Sequence, residues 1–510
     1  MPELTLKQIM DWSGAALISG DACDPQTVIS GVCSDTRQLR PGALFIALRG
    51  DRFDGHTFIG RAFELSAGAI MIDSRQAFSD LQQDEQNGVC SGFCGHIPVL
   101  LVRDTLQALQ DLAAGYRQLL QVPVIAVTGS VGKTSTRQMI AACLAPALRV
   151  HQTEANLNNE IGLPQTLLSS EPTDQAVVLE MGMRAAGEIA LLSRVANPDI
   201  AIITCIGWSH IGRLGSREAI LEAKWEIVSG LRPGGLLIIN GDDPLLVQAA
   251  ATLSEEYRLA VVCTTSAGLS AARSLARPVA CVLTAGQVSA TANQTAFSVQ
   301  LMLPEQPHAD AAAVTLPFPG QHHIRNTLFG LAAAWALQQD LTASAGGAAA
   351  CSFAGNRQRV IQAGGMTIMD DSYNASPESI AAALEALSVL AGDKGRKIAA
   401  LGCMLELGLF AAEAHRQVGE QVASHGFSLL LVYGAEAEDY LIGARTLQPE
   451  LPSCCCADQN EMADRLAAAL RPGDFLLIKG SRAYAMEQVT DRLIKLLASS
   501  PRKETGHDLA

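Results

Sequence analysis

The chain has 510 residues, enough for about three domains of ordinary size. Hydrophobic residues make up 48% of it and charged residues only 17%, which argues against extensive disorder. The net charge of −14 argues against binding to nucleic acid or to an anionic membrane, and the apolar runs are too short to span a bilayer. With thirteen cysteines, an odd number, and no export signal, we expect a cytoplasmic protein with reduced thiols.

The first predicted region, residues 1–103, mixes short strands with short helices. Within it the polar stretch at residues 82–88 opens a segment, 82–95, that we interpret as a surface insertion. A predicted helix over Thr105–Leu120 leads into the second region, which we place at residues 104–352.

Residues 126–135 carry the clearest chemical signal. The apolar run Val124–Val127 predicts a buried strand, and a helix is predicted to follow the glycine-rich turn. Such a turn directs backbone N–H groups at bound phosphate. Lys133 would reach the outer phosphates, and the Thr134 hydroxyl would hold a magnesium ion. The first glycine of the usual phosphate-loop pattern is displaced by two residues, to Gly129.

Apolar strands and amphipathic helices alternate after this turn, with strands predicted at 176–179, 200–204 and 236–239. That alternation predicts a mostly parallel sheet with helices on both faces. Residues 264–306 are irregular in pattern and are interpreted as a peripheral antiparallel addition. An alanine-rich helix is predicted over Thr327–Gln338, and a weak Ala-Gly segment follows it.

A third region, residues 353–510, repeats the alternation of strands and helices. Its predicted strands are Ile368-Met369, Ile398–Leu401, Leu429–Val432 and Phe475–Ile478. The whole chain is therefore predicted to be an α/β protein, with a second sheet of the nucleotide-binding type in this region.

Three residues after the phosphate loop have candidate roles as ligands. Glu180 directly follows the strand 177–179, where a carboxylate is a natural magnesium ligand, although a helix cap or an ion pair explains it equally well. His210 follows the strand 200–204 through a short turn. Lys224 lies inside a predicted helix and, by itself, is an ordinary helical lysine.

Polar strings mark further candidate sites. The amides of Asn156–Gly162 could bind a sugar or phosphate, and residues 320–326 with Arg357 could reach a nucleotide from the sheet edge. Asp370–Pro377 forms a dense polar loop after a strand. Helix capping would explain its aspartates but not the whole string. Asn240–Pro244 is instead typical of a tight turn.

Together these strings resemble the Mur ligases, which build the peptide stem of bacterial peptidoglycan. The resemblance runs from about Ser34 to Arg482. It is carried by the phosphate loop and by these matching residues: Asn158, Asn159, Gly162, Glu180, His210, Lys224, Asn326, Arg357, Asp371 and Lys479–Arg482.

Within the family, the chain most resembles the members that add D-alanyl-D-alanine to UDP-N-acetylmuramoyl-tripeptide. The strings at 42–56, 370–377 and 401–408, with His415, carry that choice. The Asp-Asn-Pro-Arg string of the tripeptide-forming members does not occur in the sequence. One position departs from the family, since His323 stands where asparagine is usual.

The resemblance implies ATP and Mg²⁺ as cofactors and an acyl-phosphate intermediate. It implies three domains: residues 1–103 bind the UDP substrate, 104–352 bind ATP, and the Rossmann-like 353–510 bind the incoming dipeptide. The residues that it implies for catalysis are Lys133, Lys224, His210 and Arg357. Those for ATP are Thr128, Gly129, Ser130, Val131, Gly132, Lys133, Thr134, Ser135, Asn326, Arg357 and Asp371. Those for magnesium are Thr134, Glu180, His210 and Lys224 as a carbamate. Those for the other substrates are Ser34, Thr36, Arg37, Asp54, Gly55, His56, Asn158, Asn159, Tyr373, Asn374, Lys479, Ser481 and Arg482.

Two alternatives stay open at this level. In the first, the chain catalyses the same reaction with a different amine substrate, as another Mur ligase or a folate polyglutamate synthetase would. The second is a nucleotide-binding protein without ligase activity, which would leave Lys224, His210 and the polar loops of the third region without a purpose. We expect a monomer.

Overall fold

The computed structural model describes residues 3–19, 23–50, 53–86, 97–291, 294–353 and 359–499. Arg357 and the greater part of the predicted 82–95 insertion lie outside these ranges. Among the described residues, no helix combines the length and the apolar character that crossing a membrane requires.

The N-terminal region is built around a five-stranded sheet in the spatial order β2-β9-β8-β5-β4. Its elements in chain order are β1 (Glu3–Thr5), α1 (Leu6–Ser13), β2 (Ala16–Ser19), β3 (Val28–Ser30), β4 (Val32–Cys33), β5 (Leu44–Ile46), β6 (Arg49–Gly50), β7 (Phe53–Asp54), α2 (Ile59–Glu64), β8 (Ala69–Ile72), α3 (Arg75–Gln86), β9 (Val99–Leu101) and α4 (Thr105–Leu119). The short strands and helices predicted here are confirmed, and residues 82–86 of the predicted insertion form the end of α3.

The central region holds a nine-stranded sheet in the order β11-β12-β10-β13-β14-β15-β16-β17-β18. Its elements are β10 (Val124–Thr128), α5 (Lys133–Leu144), β11 (Val150–Gln152), α6 (Gly162–Ser169), β12 (Ala176–Glu180), α7 (Glu188–Ala196), β13 (Ile200–Ile203), α8 (Ile211–Leu214), α9 (Arg217–Trp225), β14 (Leu236–Asn240), α10 (Pro244–Ala250), β15 (Arg258–Cys263), α11 (Ser266–Arg273), β16 (Cys281–Ala290), β17 (Thr295–Leu303), β18 (Gln306–Leu316), α12 (Gln321–Ala336) and α13 (Leu341–Ala349). Strands β11 to β16 pair in parallel, whereas β16, β17 and β18 pair antiparallel, which confirms both predictions for this sheet.

Strand β13 shows why the central strands are almost continuously apolar. Ala201 and Ile203 belong to one hydrophobic core, while Ile200 and Ile202 belong to the core on the other face of the sheet. Because successive side chains of a strand point to opposite faces, a strand covered by helices on both sides needs apolar residues at every position.

The C-terminal region contains a six-stranded sheet in the order β19-β20-β24-β21-β22-β23. Its elements are β19 (Arg359–Ala363), β20 (Met366–Asp371), α14 (Pro377–Ala391), β21 (Lys397–Gly402), α15 (Ala411–Ser424), β22 (Leu429–Tyr433), α16 (Ala437–Leu447), β23 (Ser453–Cys456), α17 (Gln459–Ala469), β24 (Phe475–Lys479) and α18 (Glu487–Ser499). The four predicted strands are confirmed as β20, β21, β22 and β24. The sheet also has an edge strand with three consecutive cysteines, and the eleven cysteines in the described ranges are all free thiols.

One helix boundary differs from its prediction. Helix α12 begins at Gln321, six residues before the expected Thr327, because Gly320 turns the chain with a φ of +123° and the polar residues that follow are part of the helix. The Ala-Gly segment after it is largely helical: α13 begins after Asp340, whose carboxylate accepts a hydrogen bond from the Ala343 N–H.

Arg117, near the end of α4, joins this helix to the base of the central sheet. Its guanidinium is fully buried and donates to the backbone oxygens of Ala196 and Asn197 and to Asp199 Oδ2, the last at 2.8 Å. Burial lowers the pKa of Arg117 to about 10, an effect that the Asp199 carboxylate opposes. A buried guanidinium therefore depends on Asp199 for its counter-charge.

Replacing Asp199 by alanine should destabilise the central region by about 3–5 kcal/mol, the usual cost of leaving a buried charge without its partner. The matched control is Glu171→Ala, which removes a carboxylate from an ion pair with Arg149 in which both side chains are about half exposed. That variant should cost less than about 1 kcal/mol. Urea unfolding followed by tryptophan fluorescence measures both, and equal midpoints would contradict the expectation.

Candidate active site

A cavity of about 550 Å³ lies where the central and C-terminal regions meet. The central region contributes the phosphate loop, the carboxyl ends of β12 and β13 and the first turns of α12. The C-terminal region contributes residues 371–379 and Lys479. Its position at the carboxyl ends of parallel strands is where ligands of open α/β sheets bind.

The phosphate loop is held against the segment after β13. Gly129 has a φ of +147°, and a Cβ at this position would lie 1.9 Å from Thr204 Oγ1, so only glycine fits. Thr204 Oγ1 in turn donates to Val131 O at 2.6 Å, and the Ser130 N–H donates to Cys205 O at 2.9 Å. The displaced glycine of the sequence pattern is thus explained by the closeness of Thr204.

Lys133 and Thr134 open helix α5. Lys133 Nζ donates to Gly129 O at 2.7 Å, which places its ammonium over the loop. Further along the helix, Thr136 Oγ1 donates to Asn326 Oδ1 at 3.0 Å, so α12 is fixed to the phosphate-loop helix. The structure therefore brings Asn326 to the loop from a distant part of the sequence.

Glu180, at the end of β12, is 2% exposed. Its Oε1 accepts a hydrogen bond from Asn158 Nδ2 at 2.8 Å, and Arg137 Nε lies 3.5 Å from its Oε2. That second distance is an ion pair rather than a hydrogen bond, and Oε2 receives no hydrogen bond within the described residues. A buried carboxylate oxygen beside the phosphate loop is thus available for a cation.

His210 lines the cavity, whereas Lys224 is buried and does not. His210 Nδ1 is 2.5 Å from Glu406 Oε2, a residue of the C-terminal region. Burial lowers the pKa of His210, Glu406 raises it, and Lys133 and Lys224 lower it. Lys224, in α9, is 1% exposed, and burial followed by the charge of Lys133 sets its pKa well below the usual value. Lys224 is not among the residues that line the cavity.

The C-terminal wall is organised by a buried ion pair. Lys479 Nζ donates to Asp371 Oδ2 at 2.5 Å and to Asn374 O at 2.9 Å, which fixes the loop that follows β20. Asp371, Tyr373 and Asn374 line the cavity. The other two predicted residues of this region lie elsewhere: Ser481 Oγ accepts from the Leu405 N–H at 2.9 Å, and Arg482 pairs with Glu487 at 2.7 Å.

Glu378 forms a contact between the regions that sequence reasoning missed. Its Oε1 accepts a hydrogen bond from the Trp208 N–H at 2.8 Å. A Cβ on the neighbouring Gly207 would lie 2.4 Å from the same oxygen, so the contact requires glycine there. Glu378 is the second residue of α14, where an acidic side chain is common because it interacts favourably with the helix dipole. No sequence signal therefore pointed to its contact with the central region.

A second cavity, of about 750 Å³, lies between the N-terminal and central regions. Ser34, Thr36, Arg37 and Gly55 line it, and Gln165 Nε2 reaches across to Ser34 Oγ at 2.6 Å. The guanidinium of Arg37 hydrogen-bonds to the Asp35 carboxylate, which lowers the pKa of Asp35.

Two predicted substrate-binding residues do not line this second cavity. His56 is buried, and its Nδ1 lies 2.6 Å from Asp54 Oδ1 while its Nε2 lies 3.2 Å from Asp73 Oδ1. These contacts hold the short helical turn Gly55–Phe58, which brings the backbone of Gly55 to the cavity wall.

Residues 154–161, which we call the bridging segment, contribute to both cavities. Leu157 and Ile161 line the second cavity, whereas Asn158 and Asn159 line the first. Asn159 Oδ1 accepts from the Gly162 N–H at 2.9 Å, which fixes the segment at the start of α6. The same stretch of chain therefore borders both cavities.

His323, the departure from the family pattern, is buried among aromatic rings. It stacks on Phe353 with a centroid distance of 4.7 Å and meets Phe318 edge-on at 4.6 Å. Both His322 and His323 line the first cavity, so an imidazole faces the region where asparagine was expected.

Comparison with known proteins decides the family. Three family models match the chain: the Mur ligase family catalytic domain at residues 28–117, the Mur ligase middle domain at 127–334, and the Mur ligase glutamate ligase domain at 356–482. The chain is also 36% identical to the UDP-N-acetylmuramoyl-tripeptide–D-alanyl-D-alanine ligase of Bacillus subtilis (strain 168), with 94% of this chain and 97% of the relative covered.

The chain belongs to the Mur ligase family. It is therefore an ATP-dependent ligase, and the prediction of three α/β regions with a mostly parallel central sheet is confirmed. Solved structures of Mur ligases agree with this assignment. The UDP-N-acetylmuramoylalanyl-D-glutamyl-2,6-diaminopimelate–D-alanyl-D-alanyl ligase of Acinetobacter baumannii matches with a TM-score of 0.76 and 27% identity over 97% of this chain and 99% of that one. MurF ligase from Thermotoga maritima in complex with ADP matches with a TM-score of 0.73 and 26% identity over 92% and 98%.

The geometry of this Mur ligase suits a nucleotide with a divalent cation. Loop N–H groups and Lys133 surround a space for phosphate, and Thr134 and Glu180 line the same cavity with oxygen ligands. The unbonded Oε2 of Glu180 is the observation that fits a hard cation best.

Replacing Gly129 by alanine should weaken ATP binding. The methyl group would collide with Thr204, and forced backbone strain of this kind costs 1–3 kcal/mol, equivalent to about 5- to 150-fold in affinity. The control is Gly234→Ala, because Gly234 also has a positive φ, +75°, but a Cβ there meets nothing within 4 Å. Titration with ATP measures both variants, and equal affinities would refute the steric explanation.

Proposed function

We propose that this chain joins D-alanyl-D-alanine to UDP-N-acetylmuramoyl-tripeptide, using ATP, in the synthesis of peptidoglycan precursors. Support comes from relatives of that name that are 30–36% identical along nearly their whole length. The tripeptide contains a D-glutamyl residue, as in the substrate named for the Acinetobacter enzyme, and its third residue is diaminopimelate or lysine.

The observation that carries this proposal is the position of the bridging segment between two cavities. The substrate is long, with a nucleotide at one end and the reacting carboxylate at the other. The UDP end occupies the second cavity, near Ser34, Thr36 and Arg37, and the peptide crosses the bridging segment to reach the phosphate loop. A protein that bound only a nucleotide would have no use for the second cavity.

The reaction proceeds in two steps. The terminal carboxylate oxygen of the tripeptide attacks the γ-phosphorus of ATP, the bond to the β-phosphate oxygen breaks, and ADP and an acyl phosphate form. The neutral amine of D-alanyl-D-alanine then attacks the acyl carbon, loses a proton, and displaces inorganic phosphate. Lys133 reduces the repulsion between carboxylate and triphosphate in the first step.

Other residues orient the reactants. Asn326 and Asp371 contact the nucleotide from opposite walls of the cavity. The resemblance to the Mur ligases assigns Arg357 to the phosphoryl group in transfer. The contact of Glu378 with the Trp208 N–H holds the two walls together, which excludes water from an acyl phosphate that water would destroy.

The proposed metal ligands are those that the resemblance to the Mur ligases implies. Thr134 and Glu180 would hold one Mg²⁺, and His210 with Lys224 would hold a second. Bound there, Mg²⁺ would neutralise phosphate charge. Lys224 needs a carbamate to serve as an oxygen ligand, since an ammonium cannot. A lysine that is 1% exposed, with no carboxylate partner among the described residues, is a suitable place for that modification.

The organisation of the chain is also a proposal. We place domains at 1–103, 104–352 and 353–510, since β9 ends at Leu101, α13 ends at Ala349 and β19 begins at Arg359. We propose a monomer in the cytoplasm, where the free thiols found at every described cysteine would persist.

The direct test measures phosphate release from ATP and magnesium with UDP-N-acetylmuramoyl-tripeptide, with and without D-alanyl-D-alanine. Release should require both, and mass spectrometry should find the pentapeptide product. Turnover only with the dipeptide precursor and a diamino acid would assign the chain to the preceding ligation instead. Release of phosphate that no amine accelerates would refute the ligase function.

Replacing Lys224 by alanine should lower the rate by at least about 100-fold, because even residues that only support metal ligands cost 10- to 100-fold when removed. Acetate should restore part of the activity by supplying the missing carboxylate. Glu222→Ala, an exposed change on the same helix, should leave the rate unchanged.

Intact mass in bicarbonate gives a second measurement for Lys224. The wild-type protein should carry the additional mass of one carbon dioxide, and the alanine variant should not. Normal activity of Lys224→Ala would rule out the carbamate.

A further inference from the structure

Three cationic side chains that line the first cavity have partners within the described residues. Lys133 donates to loop carbonyls, Arg325 lies 3.6 Å from Asp242, and Lys479 is paired with Asp371. Arg184 also lines this cavity, and no acceptor for its guanidinium is found in the described part of the chain. Its backbone N–H alone is engaged, donating to Glu188 Oε2 at 2.7 Å.

The position of Arg184 is fixed by the turn after β12. The Gly182 N–H donates to Asn158 O at 2.8 Å, and a Cβ on Gly182 would lie 2.9 Å from the Asn158 side chain. This turn therefore packs directly on the bridging segment. Arg184, two residues later, is exposed beside the stretch of chain that the peptide must cross.

We propose that Arg184 binds a carboxylate of the peptide stem that does not react, and thereby positions the terminal carboxylate at the phosphate loop. This inference rests on the proposed function. A glutamyl residue within a peptide leaves one of its two carboxyl groups free, and a diaminopimelate third residue carries a second carboxylate besides the reacting one. Both sources present the same chemistry, a planar anion on the stem.

The surroundings of Arg184 support a carboxylate ligand. Glu160 and Glu188 also line this cavity and would repel an anionic peptide unless a cation compensated their charge. An arginine can bind a carboxylate with two parallel hydrogen bonds, which fixes orientation as well as charge. Arg184 thus acts as a specificity residue for the stem and not on the phosphoryl group.

The first measurement is direct binding of UDP-N-acetylmuramoyl-tripeptide in the absence of ATP. Arg184→Ala should bind it about 10- to 100-fold more weakly, as expected for loss of a charged hydrogen bond, and Arg184→Lys should recover part of the affinity. In turnover assays the KM for the tripeptide should rise by a similar factor, while the KM for ATP stays the same. Arg194→Ala is the control, since Arg194 is exposed on α7 and lines neither cavity.

Modified substrates identify the carboxylate. If Arg184 binds the glutamyl group, a tripeptide whose glutamyl carboxyl is an amide should bind the wild type 10- to 100-fold more weakly but Arg184→Ala no more weakly than before. If it binds the third residue, the same pattern should appear when lysine replaces diaminopimelate. The proposal would be overturned if Arg184→Ala bound the tripeptide as tightly as the wild type. It would also be overturned if each modified substrate lost the same affinity for Arg184→Ala as for the wild type.

Different results would refute the role of Arg184 and the proposed function. A wild-type protein that forms pentapeptide, together with an Arg184→Ala variant that has an unchanged KM, would refute the role of Arg184 alone. A wild-type protein that neither binds the tripeptide nor forms the product would refute the proposed function, and the role of Arg184 with it.

Discussion

The contact between the phosphate loop and the segment after β13 is the constraint on which the site depends. Gly129 allows the loop to lie against Thr204, and Ser130 bonds to that segment twice, through its N–H to Cys205 O and through its Oγ, which accepts from the Gly207 N–H at 2.8 Å. The same segment, a few residues later, carries Trp208 and the histidine at position 210. One stretch of backbone therefore supports the phosphate loop on one side and the C-terminal wall on the other.

Contacts with the C-terminal region reach this segment through polar groups, of which Glu378 is half-buried and Glu406 is exposed. Glu378 accepts from the Trp208 N–H, Glu406 approaches His210, and the Gly212 N–H donates to Glu406 O at 2.9 Å. A hydrogen bond forms only when donor and acceptor meet at the right distance and angle. The contact between the two walls therefore depends on distances and angles more strongly than an apolar contact would.

Much of the fold could be predicted from the sequence because the central strands are covered on both faces. Continuous apolar runs located β10, β12, β13 and β14, and the strand-end rule then identified Glu180 and His210 as candidates. Elements at the edge of a sheet were harder to predict. The strand Ser453–Cys456 has only one buried residue, Cys456, and no run of branched apolar residues, so nothing in its pattern distinguished it from a loop. The early start of α12 was missed because its first turns are polar.

The sequence by itself determined the α/β class, the phosphate loop and the family, since these depend on local order and on strings of adjacent residues. Only the tertiary structure decided that Glu180 keeps one oxygen unbonded, that Gly55 rather than His56 lines the second cavity, and that Arg184 stands unpaired beside the bridging segment. Each of these facts concerns which partners a side chain meets. Those partners lie far apart along the chain, and packing of separate elements, not neighbouring sequence, brings them together.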